Sequence, residues 1–262
     1  MVGFGDPLLD GIDGEQARAE QARKWQNCKF SAPIKLASAP ATRRLVSRGV
    51  ANVAEIRKSS PLPETANELC TVAENVGAAP SDVWLGARAT ETEVKRLSSA
   101  GELARYRIVH FATHGAIAGD LTSSNEPGLI LTPPSTVSET DDGYLSASEV
   151  AGLRLDADWV ILSACNTAAG NTNNAEALSG LARAFFYAGA RALLVSHWAV
   201  NSDAAVDLVT AAVTASKKKV DHSRAHALQM AMLKLISGAD ANARHPSYWG
   251  PFVLVGEGGA AP

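Results

Sequence analysis

Cysteine is scarce in this chain: Cys28, Cys70 and Cys165 are its only three thiols, and none sits in a Cys-x-x-Cys pair. Three cysteines so spaced mark neither a zinc cage nor a disulfide framework, and they read as belonging to a reducing, cytoplasmic setting. Charge of one sign is also lacking. A formal net charge of -3 over 262 residues provides no basic field, so no nucleic-acid partner is expected. No apolar run approaches the roughly 20 residues that cross a bilayer, so no membrane partner is expected either. Residues 1–10 show no basic stretch leading into an apolar core, the mark of a secretory leader. There is no Gly-x-Ser-x-Gly elbow to display a serine nucleophile. His222 and His226 are four apart with no third ligand beside them, so neither a metal nor another cofactor is implied.

What is present is an ordinary globular composition, 46% hydrophobic, at a length that suits one large α/β domain or two small ones. Residues 1–60 are hard to read. Asp13 to Trp25 is polar and helix-permissive, Ile34 to Ala39 is a candidate strand, and Arg43 to Ile56 a candidate helix behind Thr42. Ser59-Ser60-Pro61-Leu62-Pro63 then breaks the chain. The expected organisation is a weakly patterned segment over 1–60, part of the same domain, and a well-patterned unit over 61–257. In that unit Thr65 to Val76 has helical spacing, Val83 to Leu85 is a short strand, and Thr90 opens another helix. Ser146-Ala147-Ser148-Glu149 has the spacing of a capping box. A helix carrying Leu178, Leu181, Phe185 and Phe186 stops at Gly189, and two more are expected near 203–216 and 222–236. Strands are expected at Tyr106 to Phe111, Trp159 to Leu162, Ala192 to Ser196 and Phe252 to Val255. Such alternation argues for a mainly parallel sheet covered on both faces.

Two of these strands deliver reactive side chains where they end, His114 and Cys165. In an open parallel sheet the crevice lies at the carboxyl ends of the strands, so the two can meet there. A thiol of ordinary pKa about 8.5 becomes a useful nucleophile when a neighbour takes its proton, and His114 is the candidate base. Gly115 has no Cβ, so its amide can approach a substrate carbonyl and, with the amide of Cys165, line an oxyanion hole. The plainer reading of each residue stays open: cysteine is often core, and a histidine before glycine is often a turn residue. Among the other histidines, His110 reads as a satisfied sheet-face residue and His197 as a rival base.

Several ordered motifs extend the pattern. Ile108 to Gly115, Asp142 to Val150 and Val160 to Thr167 are followed by Gly180 to Phe185 and Ala188 to Ala192, then by His197-Trp198-Ala199-Val200 and His245 to Gly256. Together they resemble the CHAT domain, a family similar in fold to caspases and separases. The resemblance implies a caspase-like three-layer α/β sandwich with a mainly parallel central sheet. It also implies a cysteine endopeptidase with His114 and Cys165 as catalytic dyad and Gly115 and Cys165 as oxyanion amides. Such a dyad needs no third residue to orient the histidine. The implied substrate is a protein or peptide, and a helical-repeat protein is the implied regulatory partner or activator. Asp203, Trp198 and Ser163 are the candidates for the substrate pocket, with Asp203 able to receive a basic side chain. Its rival role is to complement the dipole of the helix it opens. The chain departs from the family pattern at Asn166, where an acidic residue is common, and at Ala199 to Ser202, which carry no acid before Asp203. The alternative to an enzyme is a catalytically silent CHAT-fold module that binds or signals. The sequence leaves open whether the chain stands alone or belongs to a longer protein.

Overall fold

A computed structural model describes residues 1–24, 27, 28, 51–116, 121, 124–138, 140–163, 174–196, 202–218, 223–238, 240 and 242–259, with backbone only for 174–179, 202, 203, 217 and 218. The strand expected over Ile34 to Ala39 lies outside these residues, as does most of the helix expected over Arg43 to Ile56. The first half of the chain forms β1 (Val2–Gly5), α1 (Gln16–Lys24), α2 (Val53–Arg57), α3 (Glu64–Val76), β2 (Val83–Leu85), α4 (Glu91–Ser99), β3 (Ile108–Ala112), β4 (Gly115–Ala116) and β5 (Gly128–Ile130). The second half adds β6 (Tyr144–Ser146), α5 (Ala147–Ala151), β7 (Trp159–Leu162), α6 (Asn174–Ala188), β8 (Ala192–Ser196), α7 (Ser202–Lys218), α8 (Arg224–Ser237), α9 (Pro246–Trp249) and β9 (Phe252–Gly256).

Six strands build the central sheet in the order β2-β1-β3-β7-β8-β9. All its pairings are parallel except β8 with β9. Because side chains alternate along a strand, each strand serves two layers. Val109, Phe111, Val160, Leu162 and Leu193 pack on one side with Val94, Leu97, Val150, Leu181 and Phe185 from α4, α5 and α6. Ile161 and Leu194 point the other way, against Val72, Leu208, Val209 and Leu228 from α3, α7 and α8. The result is a three-layer α/β sandwich. A smaller antiparallel sheet, β4-β5-β6, receives the chain as it leaves β3.

The expected helix signals are met locally. Thr90 accepts from the Glu93 amide at 3.2 Å, and Ser146 and Glu149 cap each other reciprocally ahead of α5. Gly189 follows α6 at φ +108°, a conformation glycine adopts without steric cost.

Two findings depart from the sequence reading. The first is β1, an interior strand in a segment that carries no run of β-formers. Phe4 stacks on Phe111 with ring centroids 5.3 Å apart, and Phe111 meets Phe185 at 5.8 Å, so one aromatic file joins β1, β3 and α6. On the opposite side of β1, glycine is required: a Cβ on Gly3 would lie 2.8 Å from Leu69 Cδ2, and one on Gly5 2.6 Å from Leu69 Cδ1. Alternating glycines let α3 press directly on the sheet, and the same glycines weaken the strand signal.

The second is a correction to the cysteine reading. Cys28 and Cys70 form a disulfide, with Cα atoms 5.4 Å apart and a sequence separation of 42. Only the packing of the Cys28 segment on α3 brings the pair into bonding distance, and spacing carries no trace of that. Closing so long a loop restricts the unfolded chain. Reduction, or Cys28→Ser with Cys70→Ser, is therefore expected to cost roughly 4 kcal/mol. Urea denaturation with and without reductant measures it, and the oxidised double variant should match the reduced wild type.

Candidate active site

β3 and β7 run side by side, Phe111 opposite Leu162, so both chains emerge at one edge of the sheet. From β3 the chain reaches His114 through Thr113, and from β7 it passes Ser163 on the way to Cys165. Cys165 itself lies outside the described residues, as do Asn166, His197, Trp198 and His222. The geometry on view is that of His114 and the frame around it.

The His114 side chain is buried, and its Nε2 lies 2.7 Å from the carbonyl oxygen of Ser60. A carbonyl only accepts, so Nε2 carries the proton and Nδ1 keeps the lone pair. Burial pulls the His114 pKa below its ordinary value of 6.5 and outweighs the opposing effects of the Ser60 hydrogen bond and of the Glu64 and Glu15 carboxylates. The ring is therefore a neutral base in a single tautomer. Thr113 and His114 are pinned from the far side by β5. The Thr113 hydroxyl donates to the Ile130 carbonyl, and the Ile130 amide donates to the His114 carbonyl at 2.9 Å. Gly115 opens β4 opposite Leu129.

The loop that presents Ser60 is held in turn. Pro61 disfavours the helical conformation at Ser60. Arg18 on α1 donates to the Pro61 carbonyl from Nε at 3.2 Å and Nη2 at 2.9 Å, and its Nη2 also donates to Glu64 at 2.9 and 3.0 Å. The family resemblance implies no orienting residue for the histidine, and among the described residues no side chain hydrogen-bonds its ring. A backbone carbonyl does. Sequence reasoning passed over it because a backbone acceptor has no residue type, and Pro61 was the one available clue.

Ser163 is buried and engages His110, Oγ to Nε2, at 2.9 Å. Glu68 Oε1 on α3 stands 2.9 Å from the same nitrogen without hydrogen-bonding it, and His110 Nδ1 has no hydrogen-bond partner among the described residues. His110 is thus engaged at one nitrogen only, and the Ser163 hydroxyl is turned toward the α3 layer. Asp203 is the second residue of α7. Among the described residues no group of three or more His, Cys, Asp or Glu side chains is placed to hold a metal ion, and no helix is long and apolar enough to cross a membrane.

The class these features define is a three-layer α/β sandwich whose neighbouring parallel strands β3 and β7 end at one edge of the sheet. The CHAT domain model matches residues 15–257, and the chain belongs to that family. It is similar to tetratricopeptide repeat protein 28 of Mus musculus, 29% identical over 226 residues, which cover 75% of this chain and 9% of that protein. The Homo sapiens protein of the same name is 27% identical over 223 residues, 75% of this chain and 8% of its own length. The chain therefore spans less than a tenth of either curated relative.

Proposed function

We propose that this chain is a cysteine endopeptidase in which Cys165 is the nucleophile and His114 the proton carrier. The observation that carries the reading is the buried, neutral His114. Its Nε2–H is tied to the Ser60 carbonyl, which frees Nδ1 on the strand beside the one that leads to Cys165. Cys165 gives its proton to Nδ1 as its sulfur attacks the scissile carbonyl. The C–N bond then breaks, His114 protonates the leaving amine, and a thioester remains. Water adds to the thioester, giving a proton to His114, and the C–S bond breaks to return the thiol. The amides of Gly115 and Cys165 are assigned to the oxyanion in both steps. The tetratricopeptide repeats in the relatives' name support a helical-repeat partner as activator or restraint.

Active-site labelling tests the reading. Wild type, Cys165→Ala and His114→Ala are treated with peptidyl electrophiles ending in Arg, Lys, Leu or Asp, and adducts are located by mass spectrometry. Adducts on Cys165 that depend on the terminal residue and disappear in His114→Ala are expected. Unreactive Cys165 in the folded wild type would instead favour the silent binding module.

A further inference from the structure

The loop whose Ser60 carbonyl meets His114 is gripped by one stretch of chain, residues 10–18. The amides of Asp10 and Gly11 donate to the Arg57 carbonyl at 2.8 and 3.2 Å. Gly11 has a φ of +74°, and a Cβ there would lie 2.9 Å from Pro61 Cδ, so its backbone rests directly on the proline. Arg18 forks across the Pro61 carbonyl from Nε and Nη2, and its Nη2 also reaches Glu64 at the start of α3. Beyond α1, Cys28 is bonded to Cys70 on α3, so the stretch is fastened to that helix at both ends.

These contacts contribute little packing. Ile12 is 63% exposed, and none of residues 10–18 is buried. An ion pair as exposed as Arg18–Glu64 adds little to stability either. What the stretch does is fix a peptide plane. Proline locks its own φ, so the Ser60 and Pro61 carbonyls are separated by one free rotation, ψ of Pro61. Holding the second carbonyl with a two-pronged donor therefore holds the first against the His114 Nε2–H. The charge of Arg18 acts in the opposite sense, since by itself it disfavours the protonated ring. Any help Arg18 gives to proton uptake by His114 is thus geometric.

We propose that Arg18 is a positioning residue for His114: its fork on the Pro61 carbonyl keeps the Ser60 carbonyl on Nε2–H and so aims Nδ1 for proton transfer. This rests on the peptidase reading above and extends its site onto α1, in the segment whose sequence pattern is weakest. A simple loss of the Arg18 charge would leave proton uptake unchanged or easier, whereas loss of the fork makes it slower.

The test compares wild type with Arg18→Met, Arg18→Lys and Arg23→Met. Arg23 lies on the same helix and is similarly exposed, but pairs with Asp10 instead. Alkylation of Cys165 is followed over a range of concentrations of peptidyl chloromethyl ketones ending in Arg, Lys, Leu or Asp. Proton NMR follows solvent exchange of the His114 Nε2–H, assigned by its absence in His114→Gln, and thermal melts check folding. Arg18→Met is expected to lower the limiting alkylation rate by roughly 10- to 100-fold at an unchanged half-saturating concentration, the scale of a small misplacement of a reacting group. Exchange of the Nε2–H should quicken by about 10-fold, the worth of one hydrogen bond. Arg18→Lys keeps the charge without the planar fork and should recover only part of both. Arg23→Met should match wild type. Unchanged exchange in folded Arg18→Met would overturn the proposal, as would faster exchange with an unchanged limiting rate. Equal losses in Arg23→Met would overturn it in favour of α1 as a whole. If no peptidyl probe reacts with Cys165 in the folded wild type, the peptidase reading fails; the exchange measurement needs no turnover and still upholds or overturns the grip of Arg18 on the Ser60 carbonyl.

Discussion

His114→Gln is expected to lower kcat/KM for a peptide substrate by about 1,000-fold, the range lost when a positioned general acid–base is removed. Glutamine keeps an amide N–H that can still reach the Ser60 carbonyl, so the frame of the loop should hold while proton transfer is lost. The pH profile supplies a second readout. With the His114 pKa drawn below 6.5 by burial, the wild-type acid limb should fall below that value, because the neutral ring persists into mildly acidic solution. Stability follows the same sign. The unfolded chain takes up the proton near 6.5 and the folded chain resists it, so this contribution is complete above 6.5. It is lost as pH falls from there through the folded value. The variant should lack both features. A wild-type acid limb above 6.5 would show that His114 is not the group that sets it.

Gly5→Ala is expected to destabilise the fold by about 3 kcal/mol, or roughly 5–10 °C in Tm, through one added methyl group. That methyl would sit 2.6 Å from Leu69 Cδ1 and 2.7 Å from the Ala112 carbonyl oxygen. The leucine can move, but the carbonyl belongs to β3 in the parallel ladder and cannot. Leu69 is itself fully buried, so Leu69→Ala alone is expected to cost about 2–5 kcal/mol. In the double variant the alanine at 69 leaves room for the new methyl, so the combined loss should be smaller than the sum of the two. It should not return to zero, because the contact with the Ala112 oxygen persists. Thermal melts of the three variants decide this, and strict additivity would mean that α3 does not press on β1 as described. The expectation reaches the site as well, since β1 pairs with β3 just ahead of His114 and the loop before α3 presents Ser60.

The regular half of the chain was readable because its information is local. Thr90 and the Ser146–Glu149 pair announce helix starts by chemistry that acts over three residues, and the structure forms both caps. The apolar runs ending at Phe111, Leu162 and Ser196 read as buried strands, and they are the centre of the sheet. The Cys28–Cys70 bond and β1 were not readable, for a different reason in each case. A disulfide depends on where two distant segments pack. β1 exists because α3 and β3 lie against it, while its own glycines disfavour a strand.

The same division runs through the site. The amino-acid sequence by itself determined which side chains stand at the strand ends, His114 with Gly115 and Ser163 ahead of Cys165, because apolar runs and their boundaries are written in residue order. Tertiary structure alone decided what those side chains face. It set the Ser60 carbonyl on His114 and thereby chose the proton-bearing nitrogen, and it turned Ser163 toward His110. It also left the carboxyl of Asp6, the residue after β1, buried without a hydrogen-bond partner among the described residues. Orientation, burial and tautomer depend on contacts between residues tens of positions apart, and these exist only once the sheet has assembled.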